Sequence, residues 1–171
     1  MNDRLIDYQR ELRRRAFVSC WHENPGESLA MWKLYADKGI AVQTTVARLK
    51  AALDGCAEQT IYIGKVEYLD YSKRGDRGDH ELTPFVHKRK SFAFEQEVRA
   101  LFREPTTEKG DEEPLGESGF PVPINMDALI EGIHVAPTSK AWEFEAVRSL
   151  ATKCQLGREV QRSALDEPAV F

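Results

Sequence analysis

Residues 88–99 read KRKSFAFEQEVR, three bases followed closely by two glutamates and an arginine. If the backbone runs extended from residue 95, then Glu95, Glu97 and Arg99 share one face and Phe94, Gln96 and Val98 the other, because strand side chains alternate. A carboxylate pair with a cation beside it then opens a strand, a titratable set that reactive sites use and that solvated sheet faces also display. In the second case Glu97 and Arg99 pair with one another, or with Arg89 across a strand, and stabilise by a few tenths of a kcal/mol. The bases carry a different chemistry. The triplets at 88–90 and 13–15 would meet phosphates, while Phe92 and Phe94 stack on the bases of a single strand. Cys20 with His22 is a third candidate, a thiol beside its base, although residues two apart share a face of any strand and a buried cysteine often serves as a small apolar side chain. The three cysteines form no CxxC pair and the four histidines show no ligand spacing, so neither a disulfide framework nor a metal site is expected.

The elements that must position these residues follow from periodicity and turn chemistry. Residues 1–15 form a polar helix or arm, and residues 16–168 a single globular domain. AFVSCW reads as a buried strand. Ser28 caps a helix carrying Trp32 and Tyr35 as core residues, Gly39 closes it, IAVQTT is a second strand, and Thr45 caps VARLKAAL. TIYIGKVEYLDY is the longest strand signal, with a bulge near Gly64. In PFVHKRKSFAFEQ, Phe85, Lys88, Phe92 and Glu95 lie at three-to-four spacing, which predicts a helix passing into the strand EVRALF. Residues 104–119 are a mobile exposed loop or lid by composition. FPVPIN then reads as an edge strand, LIEGIHVAP as a buried strand, SKAWEFEAVRSLATKCQL as a helix and REVQRSAL as a last strand. The fold class is α/β or α+β, a mixed twisted sheet of about five to seven strands flanked by helices.

Composition bounds the function. A chain of 171 residues removes roughly 70% of its unfolded surface from water, enough for a real core. With 42% hydrophobic residues and a net charge of −4, it is neither a disordered polymer nor a basic nucleic-acid coat. No apolar run reaches the roughly 20 residues of a membrane helix, and the first residues lack the apolar centre of a signal peptide, which places the chain in the cytoplasm and off the membrane.

FVSCWHENPGESLAMWKLYADKGIAVQTT, VEYLDY, FVHKRKSFAFEQEVRALF and IHVAPTSKAWEFEAV together resemble the uncharacterised bacterial domain-of-unknown-function family twenty-nine seventy-one, over about residues 16–168. Members of that family usually carry a further upstream segment, so the resemblance implies either a compact member or a truncated one. A second resemblance is to the Glu-x-Glu signature of ADP-ribosyltransferases. It implies Glu97 and Glu95 as catalytic residues, with Glu97 holding the nicotinamide ribose and stabilising an oxocarbenium-like transition state. It also implies Arg15, Ser19, Trp21 and Arg99 around NAD as co-substrate. The favoured reading is therefore an ADP-ribosyltransferase-like effector with a nucleic-acid or protein acceptor. The alternative is a non-catalytic nucleic-acid-binding or protein-interaction module.

Overall fold

The computed structural model describes residues 3–55, 60–73, 81–103 and 119–166, and within them the chain divides into two compact units interleaved in sequence. Unit 1 combines Met1–Glu23 with Cys56–Pro123, and unit 2 combines Asn24–Gly55 with Ile124–Phe171. The mixed α/β class is as expected. Eight strands are present among the described residues, divided over three small sheets where periodicity alone had gathered them into one.

In unit 1, helix α1 (Asp3–Arg14) leads into strand β1 (Ala16–His22), followed by β3 (Ile61–Lys65), β4 (Glu67–Leu69), helix α4 (Thr83–Val86), β5 (His87–Arg89) and β6 (Glu97–Arg103). The larger sheet has the order β1-β6-β3, antiparallel throughout, with Cys20 opposite Arg99 and Gly64 opposite Arg99 on the other side. Strand β6 is central and buried on both faces, with Leu101 at 2% exposure. On one face Phe17 stacks on Phe102 with ring centroids 5.9 Å apart, and Phe120 closes the cluster at 5.8 and 5.3 Å, within the favourable range for aromatic pairs.

Three expectations are corrected between residues 60 and 125. The strand signal over 60–71 is broken at Val66, whose N–H turns to the Glu97 carbonyl at 2.8 Å, so two strands replace one bulged strand. The helix expected from Pro84 stops at Val86. Residues 87–89 extend instead to pair in parallel with β4, Lys88 opposite Tyr68, and a 3-10 turn (Lys90–Glu95) follows. Ladder bonds to a distant strand outweigh a helical period of only a few residues. FPVPIN forms no strand, and Asn125 caps the next helix instead, accepting from Ala128 N–H at 3.0 Å. Residues 104–118 of the expected lid lie outside the described residues.

In unit 2, helix α2 (Leu29–Tyr35), strand β2 (Ile40–Gln43) and helix α3 (Val46–Leu53) are followed by α5 (Met126–Leu129), β7 (Gly132–Val135), α6 (Ala141–Lys153) and β8 (Val160–Arg162). The sheet order is β2-β7-β8, with β2 antiparallel and β8 parallel to β7, so α6 is the crossover that a parallel pair requires. Both expected caps form: Ser28 accepts from Met31 N–H and Thr45 from Arg48 N–H. The core comprises Ile130, Ile133, Val135, Ala151 and Val160, with Val42, Phe144, Val147 and Leu156 against it. Trp32 is buried at 6% exposure, as its helical position predicts, whereas Tyr35 is 64% exposed. The helix is only seven residues long and offers one narrow apolar face, which Trp32 occupies.

Glu27 ties this unit together. Its Oε2 accepts from Trp32 Nε1 at 2.8 Å and from Ser163 Oγ at 2.5 Å, and its Oε1 accepts from Ala164 N–H at 2.7 Å. Burial opposes its charge, but the hydrogen bonds from Ser163, Ala164 and Trp32 outweigh it and hold the carboxyl below the ordinary value.

Candidate functional site

The charged residues of the opening motif do converge, by a route that simple alternation does not anticipate. Glu95 ends the 3-10 turn, and Gln96 takes the left-handed conformation, φ 43°, before the strand begins at Glu97. The backbone therefore changes from turn to strand between the two glutamates. Lys88, on β5, reaches both: its Nζ bonds Glu95 Oε2 and lies 2.7 Å from Glu97 Oε1. Arg99 Nε donates to Glu97 Oε2 at 2.6 Å, and its Nη1 donates to the Phe85 carbonyl at 2.5 Å. Tyr68 Oη accepts from the Glu97 backbone N–H at 2.8 Å. The Glu95 and Glu97 side chains are 4% and 9% exposed, those of Lys88 and Arg99 26% and 15%. The carboxylates are thus the inner members, each facing a cation.

The electrostatics follow from that packing. Burial disfavours the Glu97 charge, yet hydrogen bonds led by Arg99, with Glu95, Lys88 and Cys20, more than compensate and hold the carboxyl far below the usual carboxylate range. Burial also opposes the charges of Lys88 and Arg99. For Lys88 the two glutamates overcome it, and for Arg99 chiefly Glu97, so both cations are shifted upward. A carboxylate depressed in the folded state contributes stability in full above its unfolded value of about 4.3, and loses it as the pH falls towards the folded value. The urea midpoint is therefore expected to be lower at pH 3 than at pH 7, and the drop to be smaller in Glu97→Gln. Equal drops in the two proteins would remove Glu97 as the origin.

Cys20 shares this face, opposite Arg99, and its residue surface is exposed although its sulfur sits against Glu97. Burial, then the hydrogen bond and charge of Glu97, push the thiol up from its ordinary value, ahead of the opposing Arg99 and Lys88. A nucleophile needs the reverse shift. His22 Nδ1 lies 2.5 Å from the Glu95 carbonyl, which only accepts, so Nδ1 carries the proton and Nε2 keeps the lone pair.

Of the six residues expected around a site, Glu95, Glu97 and Arg99 come together. Ser19 and Trp21 lie on the opposite face of β1, opposite Ala100 and Val98, where Trp21 Nε1 donates to Ser19 Oγ at 3.1 Å. Arg15 is buried where α1 meets β1. Lys88 joins Glu95, Glu97 and Arg99, and the sequence marks it as a phosphate-seeking base and as a helix-spaced neighbour of Glu95. Its seven- and nine-residue separations from the glutamates were the available signal, and they become contacts only through β5 and the turn. The other bases stay outward: Arg89 and Lys90 are exposed, as are Phe92 at 40% and Phe94 at 49%. Lys88 Nζ lies 4.8 Å from the Phe92 ring centre, and the Arg89 guanidinium 5.4 Å from that of Tyr71. Among the described residues no group of His, Cys, Asp and Glu could hold a metal ion, and no helix is long and apolar enough to cross a membrane. No protein-family model, curated protein or solved structure matches the chain.

Proposed function

We propose that this chain is a non-catalytic binding module that takes single-stranded nucleic acid on the turn at residues 89–94. One observation carries the reading: Phe92 and Phe94 are 40% and 49% exposed on the same short turn as the exposed Arg89 and Lys90. Exposed rings accept stacked bases of any identity, and adjacent cations take the intervening phosphates. The Lys88–Glu95–Glu97–Arg99 cluster then serves as the ion-paired base on which the turn is built. A cytoplasmic, bacterial setting and membership of the uncharacterised family are proposed with it, on composition and motifs alone.

Fluorescence anisotropy with labelled oligonucleotides tests the reading. Two engaged cations imply a log–log salt slope of about −1.4. Phe92→Ala and Phe94→Ala are each expected to weaken binding about tenfold, the scale of one stacked base. Binding that is absent, or indifferent to both substitutions, would sink the proposal.

A second reading, NAD-dependent ADP-ribosyl transfer, is favoured by one feature: Glu97 is held ionised beside Arg99 at the start of a strand. Against it, both carboxylates are occupied, and Ser19 and Trp21 lie behind the sheet. Incubation with labelled NAD and mixed RNA, DNA and protein acceptors decides it. The absence of both nicotinamide release and label transfer would end this reading.

A further inference from the structure

Unit 2 contains a second concentration of positive charge that the turn does not explain. Arg48 Nη2 donates to the Asp127 carbonyl at 2.7 Å and to the Ile130 carbonyl at 2.9 Å, and Arg158 donates to the same two oxygens, Nη2 at 2.9 Å and Nε at 2.7 Å. Two guanidiniums that share two acceptors are close neighbours, and like charges so placed repel. Carbonyl dipoles at the end of α5 offset part of that repulsion. Among the described residues neither arginine forms an ion pair. A pair of cations without a carboxylate is an incomplete electrostatic arrangement.

Arg158 also lines a cleft of about 210 Å³ between α6 and β8. Its lining mixes the apolar Phe144, Ala151, Leu156 and Val160 with the polar Arg148, Thr152 and Glu159. A cavity of about 150 Å³ suffices for a benzene ring, so this one has room for a single ring with a polar head. Arg158 lines the cleft and is held by two of its five N–H groups, and a guanidinium held in this way binds a carboxylate or phosphate with little further ordering. Arg148 adds charge from the helix side, where its present partner is the exposed Glu145.

We infer that this cleft is a binding site for a small organic anion, a carboxylate or phosphate monoester carrying one apolar ring, with the head on Arg158 and Arg148 and the ring on Phe144 and Leu156. The inference concerns unit 2 and stands independently of the nucleic-acid reading.

NMR titration of the full chain with phenyl phosphate, benzoate, inorganic phosphate and benzyl alcohol tests it. Phenyl phosphate or benzoate is expected to give saturable amide shifts centred on Ala151, Thr152, Leu156 and Val160. Either is expected to bind at least tenfold more tightly than benzyl alcohol, the scale of a charge-assisted hydrogen bond. Arg158→Lys keeps the charge and loses the fork, and is expected to weaken binding about tenfold. Arg148→Gln, an exposed change that leaves folding intact, is expected to weaken it about threefold. Three outcomes would overturn the site: no saturable shifts there, an equal response to benzyl alcohol or to inorganic phosphate, or affinity unmoved by Arg148→Gln in the folded protein.

Discussion

Glu97→Gln is expected to destabilise the protein by about 3 kcal/mol, because it removes one charge from a buried ion cluster and leaves the other members in place. Arg99 is the residue most affected. It would keep its bond to the Phe85 carbonyl and lose the carboxylate that sits 2.6 Å from Nε, in a position only 15% open to water. Lys88 retains Glu95, which limits the loss. Glutamine preserves size, so packing is not the origin of the effect, and its amide N–H₂ would face a cation instead of an anion. Chemical denaturation at pH 7 gives the value directly. A double-mutant cycle with Arg99→Met is expected to recover about 2 kcal/mol, since an apolar side chain no longer needs the charge. An unchanged midpoint in the single variant would mean that the four groups solvate a surface rather than brace the turn. The same variant separates the two functional readings. As a brace, Glu97 affects oligonucleotide affinity only through stability, whereas as a transferase residue its loss would lower NAD turnover about 100-fold or more in protein that is still folded.

Trp32→Ala is expected to cost about 3–5 kcal/mol, the range for emptying a large aromatic from a packed interior. Trp32 is 6% exposed, and its indole N–H donates to Glu27, which also holds Ser163 and the Ala164 N–H. The substitution therefore makes a cavity and leaves the half-buried Glu27 carboxylate short of one donor, two costs that act together. Trp32→Phe tells them apart: it refills most of the space without the N–H and is expected to cost about 1–2 kcal/mol. Thermal and urea unfolding check both variants. A Trp32→Ala protein with wild-type stability would move Trp32 out of the core.

Features set by near neighbours were legible in the sequence. Ser28 and Thr45 cap their helices because an N-cap bond spans three residues and needs no distant partner. The helix at Ala141–Lys153 and the strand at Ile40–Gln43 follow from local pattern in the same way. That Glu97 and Arg99 share a face was also readable, since alternation is a property of any strand. What the sequence left open required partners from elsewhere in the chain. The stretch 87–89 has helical spacing and becomes a strand because β4 offers it a ladder. Lys88 meets both glutamates only through the 3-10 turn that separates strand 87–89 from strand 97–103. Ser19 and Trp21 fall behind Glu97 because the register sets Cys20 opposite Arg99, and a shift of one residue would have exchanged the faces. The convergence of Arg48 and Arg158 on two carbonyls joins segments more than a hundred residues apart. Local sequence decides conformations whose hydrogen bonds close within a turn, while register and convergence depend on long-range pairing, whose stability comes from surfaces that exist only once the remote segments have met.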